Sequence, residues 1–308
     1  LLPYWYIVGA TITILLGTLD DLISIGWKYK FVIQLCIGIF ISYIFWSKIE
    51  LIYFYELPFN LSQINLLLIF LIWFIGIYNA VNLIDGLDGL AGGFMLILSF
   101  ALTQSDYIYF NNLNLIFGMI ILGFLIFNQR PAKLFMGDAG SLFLGFHVAV
   151  LPLLYINNYT DLSKLDMTPF ILCCFYLIAD TTRVFLTRIA NKKSPMTADT
   201  IHFHHLIMQK SGSYLTSIGT ILFITTMSVV ASILSFNDRL PIDFMFIHIG
   251  LLLLFILTPP IETYIPIISD RIVSPFYQWH KSNSRNSIPY IPRTIFAICI
   301  WSFLLISL

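Results

Sequence analysis

Apolar residues run in long blocks along this chain rather than in alternation with polar ones. The blocks lie near 4–19, 31–46, 64–84, 88–103, 113–128, 140–156, 168–189, 214–236, 242–259 and 293–308. A helix needs about 20 apolar residues to cross a bilayer, and in lipid only structures that close their own backbone hydrogen bonds survive. The pattern therefore predicts an all-α polytopic membrane protein, a bundle of about ten transmembrane helices. The shorter blocks must extend into their flanks. No repeat of fixed period and no low-complexity linker interrupts the series, so residues 1–308 read as a single integral-membrane domain.

Composition agrees. Hydrophobic residues make up 58% of the chain and charged residues 10%, against roughly 45–50% and 25% in soluble domains. The formal net charge is zero, and nothing in it suggests nucleic acid. Cys36, Cys173, Cys174 and Cys299 all lie in apolar runs without metal-type spacing and read as small buried hydrophobes.

The positive-inside rule orients the blocks. Loops 20–30, 85–88, 128–139, 183–213 and 260–293 hold Lys28, Lys30, Arg130, Lys133, Arg183, Arg188, Lys192, Lys193, Lys210, Arg271, Lys281, Arg285 and Arg293. The opposite loops hold only Lys48, Lys164 and Arg239. The first set is expected in the cytoplasm, and the acidic clusters and clustered histidines fall on that same side.

Of 16 acidic residues, four stand in two short segments: Asp20-Asp21 and the run Asn79-Ala-Val-Asn82-Leu-Ile-Asp85-Gly-Leu-Asp88-Gly89. A carboxylate near hydrocarbon costs roughly 2.5–3.5 kcal/mol even on the lenient insertion scale. A hard cation held by oxygen ligands is the simplest compensation. Asn79, Asn82, Asp85 and Asp88 are spaced by three, so on a straight helix the row would drift around the axis. Gly86 and Gly89 can break that helix and fold the row around one point.

Phe135-Met-Gly-Asp138-Ala-Gly140-Ser141 resembles a helix start, where free amides favour anions. Arg130 and Lys133 upstream suit phosphate oxygens. His202-Phe-His204-His205 lies in the most basic loop, after Ser194–Asp199. No cysteine or His-Glu-x-x-His helix accompanies it, so contact with phosphate or sugar is preferred to zinc. His147 and His248, alone in apolar blocks, read as packed structural residues. Asp180 sits deep in the 168–189 block, either as a functional carboxylate or as the partner of Arg183 or Arg188.

In this order, Asp20-Asp21, the Asn79–Gly93 run, Phe135–Ser141, Ala179-Asp180-Thr181 with Arg188-Ile189, and Ser194–Leu206 resemble the polyprenyl-phosphate N-acetylhexosamine-1-phosphate transferase family. The His-x-His-His form is similar to the branch that starts O-antigen (lipopolysaccharide), common-antigen or teichoic acid linkage synthesis. It is less like the branch that uses UDP-MurNAc-pentapeptide, the alternative within the family. An ion-coupled transporter is the alternative of another class; transporters gather such acids near the midplane, often within repeats.

The resemblance implies transfer of N-acetylhexosamine 1-phosphate from a UDP-N-acetylhexosamine to undecaprenyl phosphate, releasing UMP, with Mg²⁺ or Mn²⁺ required. It implies a multi-pass protein of the bacterial inner membrane with a cytoplasmic-face active site, often a homodimer. Carried over to this chain, Asn82 and Asp138 would ligate the metal, and Asp20, Asp21, Asp85 and Asp138 form the catalytic carboxylates. Asp88 and Phe135 would contact uracil. Asn79, Lys133, His202, His204 and His205 complete the substrate-binding set. Members normally carry about two more helices before the Asp-Asp pair, so this chain is expected to lack its amino-terminal helices.

Overall fold

The computed structural model describes residues 2–45, 48–105, 107–157, 164–194, 201–236 and 243–257. The described helices are α1 (Tyr4–Ile23), α2 (Trp27–Phe45), α3 (Gln63–Ile84), α4 (Leu90–Leu102), α5 (Ile108–Asn128), α6 (Gly137–Ile156), α7 (Thr168–Cys173), α8 (Phe175–Ala190), α9 (Phe203–Ser211), α10 (Tyr214–Phe236) and α11 (Asp243–Leu257). Six of them, α1, α2, α3, α5, α6 and α10, are long and apolar enough to cross a membrane. The expected bundle of about ten spans is thus six among the described residues. The block at 293–308 and Arg239, Arg271, Lys281, Arg285, Arg293 and Cys299 lie outside them.

Helix α6 is the axis of the fold. Its window is 78% buried, against 28–39% for the other five. A helix apolar on all sides belongs in the interior; α1 and α3 pack on it, α2 on α3, α5 on α4 and α10 on α7 and α4, and each leaves a face turned outward. That outward face is apolar, with Ile72, Ile116 and Leu15 among its exposed side chains, as a lipid-facing surface requires. Two glycines bring the neighbours close. A Cβ on Gly17 would lie 2.4 Å from Ala139 Cα, and one on Gly145 would lie 2.2 Å from the Tyr78 carbonyl oxygen. These contacts fix the last turns of α1 and α3 beside the first turns of α6.

Two departures from a purely helical expectation appear. Strands β1 (Leu51–Phe54) and β2 (Leu57–Asn60) form an antiparallel hairpin, and β3 (Lys164–Asp166) joins β1 in parallel, giving the order β2-β1-β3. Strands of three or four residues are too short for alternation to register, and the partner of β1 is distant in sequence. The sheet ties the α2–α3 and α6–α7 connections together at one end of the bundle. The 168–189 block is also not one helix: it divides at Cys174 into α7 and α8, and α8 buries Asp180 and Arg188. Its polar interior face makes it a site-bearing helix rather than a uniform span.

The two lone histidines are packed. His147 Nδ1 is hydrogen-bonded to Tyr6 Oη at 2.9 Å and its ring stacks on Phe117 at 4.0 Å. His248 Nδ1 is 2.8 Å from Tyr55 Oη. Cys173 and Cys174 are buried, whereas Cys36 is exposed, against the expectation of burial. It lies on the outer face of α2, so an apolar environment for it would be lipid.

Candidate active site at the ends of three helices

The end of the bundle opposite the sheet collects the polar residues. Asp20, in the last turn of α1, is buried; its Oδ1 accepts from the Ile25 amide at 2.6 Å and its Oδ2 from Lys30 Nζ at 2.5 Å. Its carboxyl also lies within hydrogen-bonding reach of Asp138. Asn82, in the last turn of α3, donates through Nδ2 to Asp138 Oδ1 at 3.1 Å and to Ser141 Oγ at 2.7 Å. The ends of α1, α3 and α6 therefore meet at Asp138.

Asp21 does something different from its neighbour. Its Oδ1 accepts from the Asp138 amide at 2.8 Å and its Oδ2 from the Ala139 amide at 3.1 Å. Met136, at the N-cap of α6, makes no side-chain cap. Asp21 thus caps α6 from another helix, satisfying two orphan amides and opposing the positive end of the helix dipole. Gly137, at φ 65°, is what permits the approach: a Cβ there would lie 2.8 Å from Asp21 Oδ2, in a conformation that side chains resist.

The break between α3 and α4 falls at the glycines, but it does not fold the whole Asn-Asp row around one point, since Asn79 stays within α3 and bonds Gln34 of α2. Helix α3 ends at Ile84, and Gly89 enters α4 at φ 75°. Asp85 follows α3 directly. Burial pushes its carboxyl up to about 7, helped by the charges of Asp138 and Asp88. Asp88 faces the 128–136 loop: its Oδ2 accepts from the Ala132 amide at 3.3 Å, and its carbonyl oxygen accepts from Tyr214 Oη. Arg130 lies over the Tyr214 ring at 4.6 Å. Buried Asn128 holds this loop, accepting from the Gly89 amide at 2.9 Å and donating to the Leu134 carbonyl at 2.8 Å.

The histidines close the cluster from a third direction. A Cβ on Gly86 would lie 2.6 Å from His204 Nε2 and 3.3 Å from His205 Nε2, so α9 rests directly on the Asp85-Gly86 turn. His204 is fully buried, and desolvation with neighbouring His205 pushes it down to about 3, so its ring is neutral near pH 7. His202 and His204 stack with centroids 5.9 Å apart. Asp180 of α8 accepts from His202 Nδ1 at 2.9 Å, and the His202 ring is buried.

Three predicted substrate contacts stand apart from this convergence. Asn79 exchanges two hydrogen bonds with Gln34, at 2.9 and 3.1 Å, and donates to the Ile75 carbonyl, so its amide joins α3 to α2. Lys133 and Phe135 are exposed on the 128–136 loop, Phe135 at 73%. Three residues were not singled out from sequence: Asn128 and Tyr214, which fix the Asp88 loop, and Gln34. None carries a local signal, because each acquires its meaning from a partner on another helix.

The donor set suits a hard divalent cation. The carboxylates of Asp20 and Asp138 within reach of each other, with the charge of Asp85 nearby and the single cation Lys30 paired to Asp20, leave negative charge that a cation would neutralise. Among the described residues no three His, Cys, Asp or Glu side chains form a metal-holding group. Mg²⁺ commonly takes only one or two protein carboxylates beside waters and substrate phosphates. Asn82 would ligate through Oδ1, whereas here its Nδ2 faces Asp138.

The carboxylates and a neutral imidazole are thus gathered at one end of a bundle that has, among the described residues, six helices long and apolar enough to cross a membrane. Residues 4–156 match the profile of glycosyl transferase family 4. The chain is 33% identical over 209 residues to a probable undecaprenyl-phosphate N-acetylglucosaminyl 1-phosphate transferase of Bacillus subtilis, covering 65% of this chain and 57% of the relative. It is 27% identical over 248 residues to the undecaprenyl-phosphate alpha-N-acetylglucosaminyl 1-phosphate transferase of Thermotoga maritima, 78% of this chain and 72% of that protein. A phospho-N-acetylmuramoyl-pentapeptide-transferase of Listeria innocua is 37% identical over 160 residues, 45% and 48% of the two chains. The chain thus spans little more than half of the first of these relatives.

Proposed function

We propose that this protein transfers N-acetylhexosamine 1-phosphate, with N-acetylglucosamine the first candidate sugar, from its UDP derivative to undecaprenyl phosphate, releasing UMP. The product, undecaprenyl-diphospho-sugar, would initiate a cell-envelope polysaccharide. The observation that carries this reading is the contact of Asn82 with Asp138, at the point where Asp20 also converges, in a chain similar to proteins named for this transfer. The reaction face is read as cytoplasmic from the basic loops, and the membrane as the bacterial inner membrane.

Phosphoryl transfer asks a protein for positioning and charge neutralisation more than for covalent chemistry. When bound, Mg²⁺ or Mn²⁺ would neutralise charge on the diphosphate and on the departing UMP. Asp138 is the first ligand candidate, Asn82 the second through its oxygen. Asp20 and Lys30 stand as an ion pair beside the incoming lipid phosphate: Lys30 supplies a positive charge there, and Asp20 holds it in place. Asp21 keeps Asp138 in place through the α6 cap. Asp85, whose carboxyl is pushed up to about 7, would be favoured in its charged form by a cation held nearby. Asp88 with the 128–136 loop would receive the uridine, and the neutral rings of α9 the diphosphate or sugar.

Membranes carrying the protein, incubated with undecaprenyl phosphate and a panel of UDP-sugars, should release UMP and yield a lipid product identifiable by mass. Asp138→Asn should abolish UMP release while leaving the melting curve unchanged; turnover near wild type would remove Asp138 from the metal site. Cation flux in proteoliposomes without UMP formation would favour the transporter reading instead.

A further inference from the structure

The motif containing Asp180 takes no part in the chemistry above, yet it holds the most connected carboxylate of the described residues outside the acidic cluster. Asp180 is 1% exposed. Its Oδ1 accepts from Arg183 Nη2 at 2.9 Å and from the Phe203 amide at 3.0 Å, and its Oδ2 faces His202 Nδ1 at 2.9 Å. Arg183 Nη2 also donates to the Ile201 carbonyl at 2.6 Å. One carboxylate therefore holds the residue before the histidine motif through Arg183, the first ring of the motif, and the first amide of α9.

The consequence for the rings is directional. Because Asp180 accepts at Nδ1, that nitrogen carries a proton, which fixes the ring's orientation and leaves Nε2 as the working atom. His202 Nε2 and both ring nitrogens of His204 are buried without a hydrogen-bond partner among the described residues. Orphaned buried polar atoms cost free energy comparable to a lost hydrogen bond, so a cluster of three on stacked rings against the Asp85-Gly86 turn marks where a polar ligand completes the site. Asp180 itself has both oxygens engaged by Arg183, Phe203 and His202, and acts through His202.

We propose that Asp180 is a positioning residue of the transferase: with Arg183 it clamps His202 and the start of α9, so that His202 Nε2 and the His204 ring are aimed at the diphosphate-sugar portion of the UDP-sugar. This rests on the transferase reading.

The test is a double-mutant cycle on the full protein in membranes, with Asp180→Asn, His202→Ala and the pair, read by UMP release and thermal melting. Asp180→Asn keeps an acceptor for Phe203 but loses the charge and the paired geometry. The expected result is a KM for the UDP-sugar raised about tenfold, with kcat and the KM for undecaprenyl phosphate changed by less than about threefold. In the His202→Ala background the same substitution should cost less than about twofold. Multiplying losses, or a lowered melting temperature with an unchanged KM, would overturn the proposal, since Asp180 would then act independently of His202 or only hold the fold. Should Asp180→Asn not fold, Asp180→Glu, which keeps the charge and moves it by a methylene, enters the same cycle with the same expected coupling. A wild-type protein that releases no UMP from any UDP-sugar would instead defeat the transferase reading itself.

Discussion

Asp20 and Asp21 are adjacent in sequence and chemically identical, and nothing local distinguishes them. Their partners do: Asp20 faces Lys30 and Asp138, whereas Asp21 spends both oxygens on the α6 amides. Asp21→Asn retains a cap acceptor and should keep activity within about tenfold, because neutral Asn caps nearly as well as Asp. Asp20→Asn removes the charge that holds Lys30 and, on the proposed reaction, should cost about a hundredfold or more in UMP release. Equal losses in the two variants would contradict this division. Asp85 gives a pH signature. Its folded pKa, about 7, lies above the unfolded carboxylate value, so its contribution to stability is full below about pH 4 and is lost as pH rises through 7. In chelator, the melting temperature should fall between pH 6 and 8 in the wild type and stay flatter in Asp85→Asn, with saturating Mg²⁺ reducing the wild-type slope. The carboxylates and histidines of this cluster were legible as residue types; which atom each one engages was not.

At the scale of elements, the cluster depends on helix ends being brought together. The α3–α4 break is written in the sequence, since Gly86 and Gly89 interrupt an apolar run. The docking of α9 on that break is not written there: Gly86 is needed for want of a Cβ, because His204 occupies the space. Gly86→Ala should push α9 away and raise the KM for the UDP-sugar by roughly tenfold to a hundredfold, the order expected of an ångström-scale misplacement. An unchanged KM would show that α9 does not touch the substrate. The division of the 168–189 block into α7 and α8 escaped the hydrophobic pattern because apolar residues continue through Cys174. The small sheet escaped it because its strands are short and their pairing is not local.

For the whole molecule, the bundle separates two ends: the carboxylates and histidines at one, the three-stranded sheet at the other. From the charge asymmetry of the loops, we propose that the first end faces the cytoplasm. With native cysteines replaced, Lys133→Cys should be shielded from an impermeant maleimide added outside intact cells, and Lys164→Cys should react. Labelling of both from the same side would overturn the topology and, with it, access of a cytosolic nucleotide to Asp138.

By itself the sequence determined the class of the protein, because the cost of burying backbone in lipid leaves long apolar blocks few alternatives to the helix. It also determined which side chains were available for chemistry, because charges are too costly near lipid to be scattered idly. Tertiary structure alone decided their division of labour. Contacts between distant helix ends set Asp138 against Asn82, turned Asp21 into a cap and Asn79 into a helix tie, and gave His202 its carboxylate. Such contacts depend on close helix crossings at Gly17 and Gly145, whose geometry no local pattern encodes.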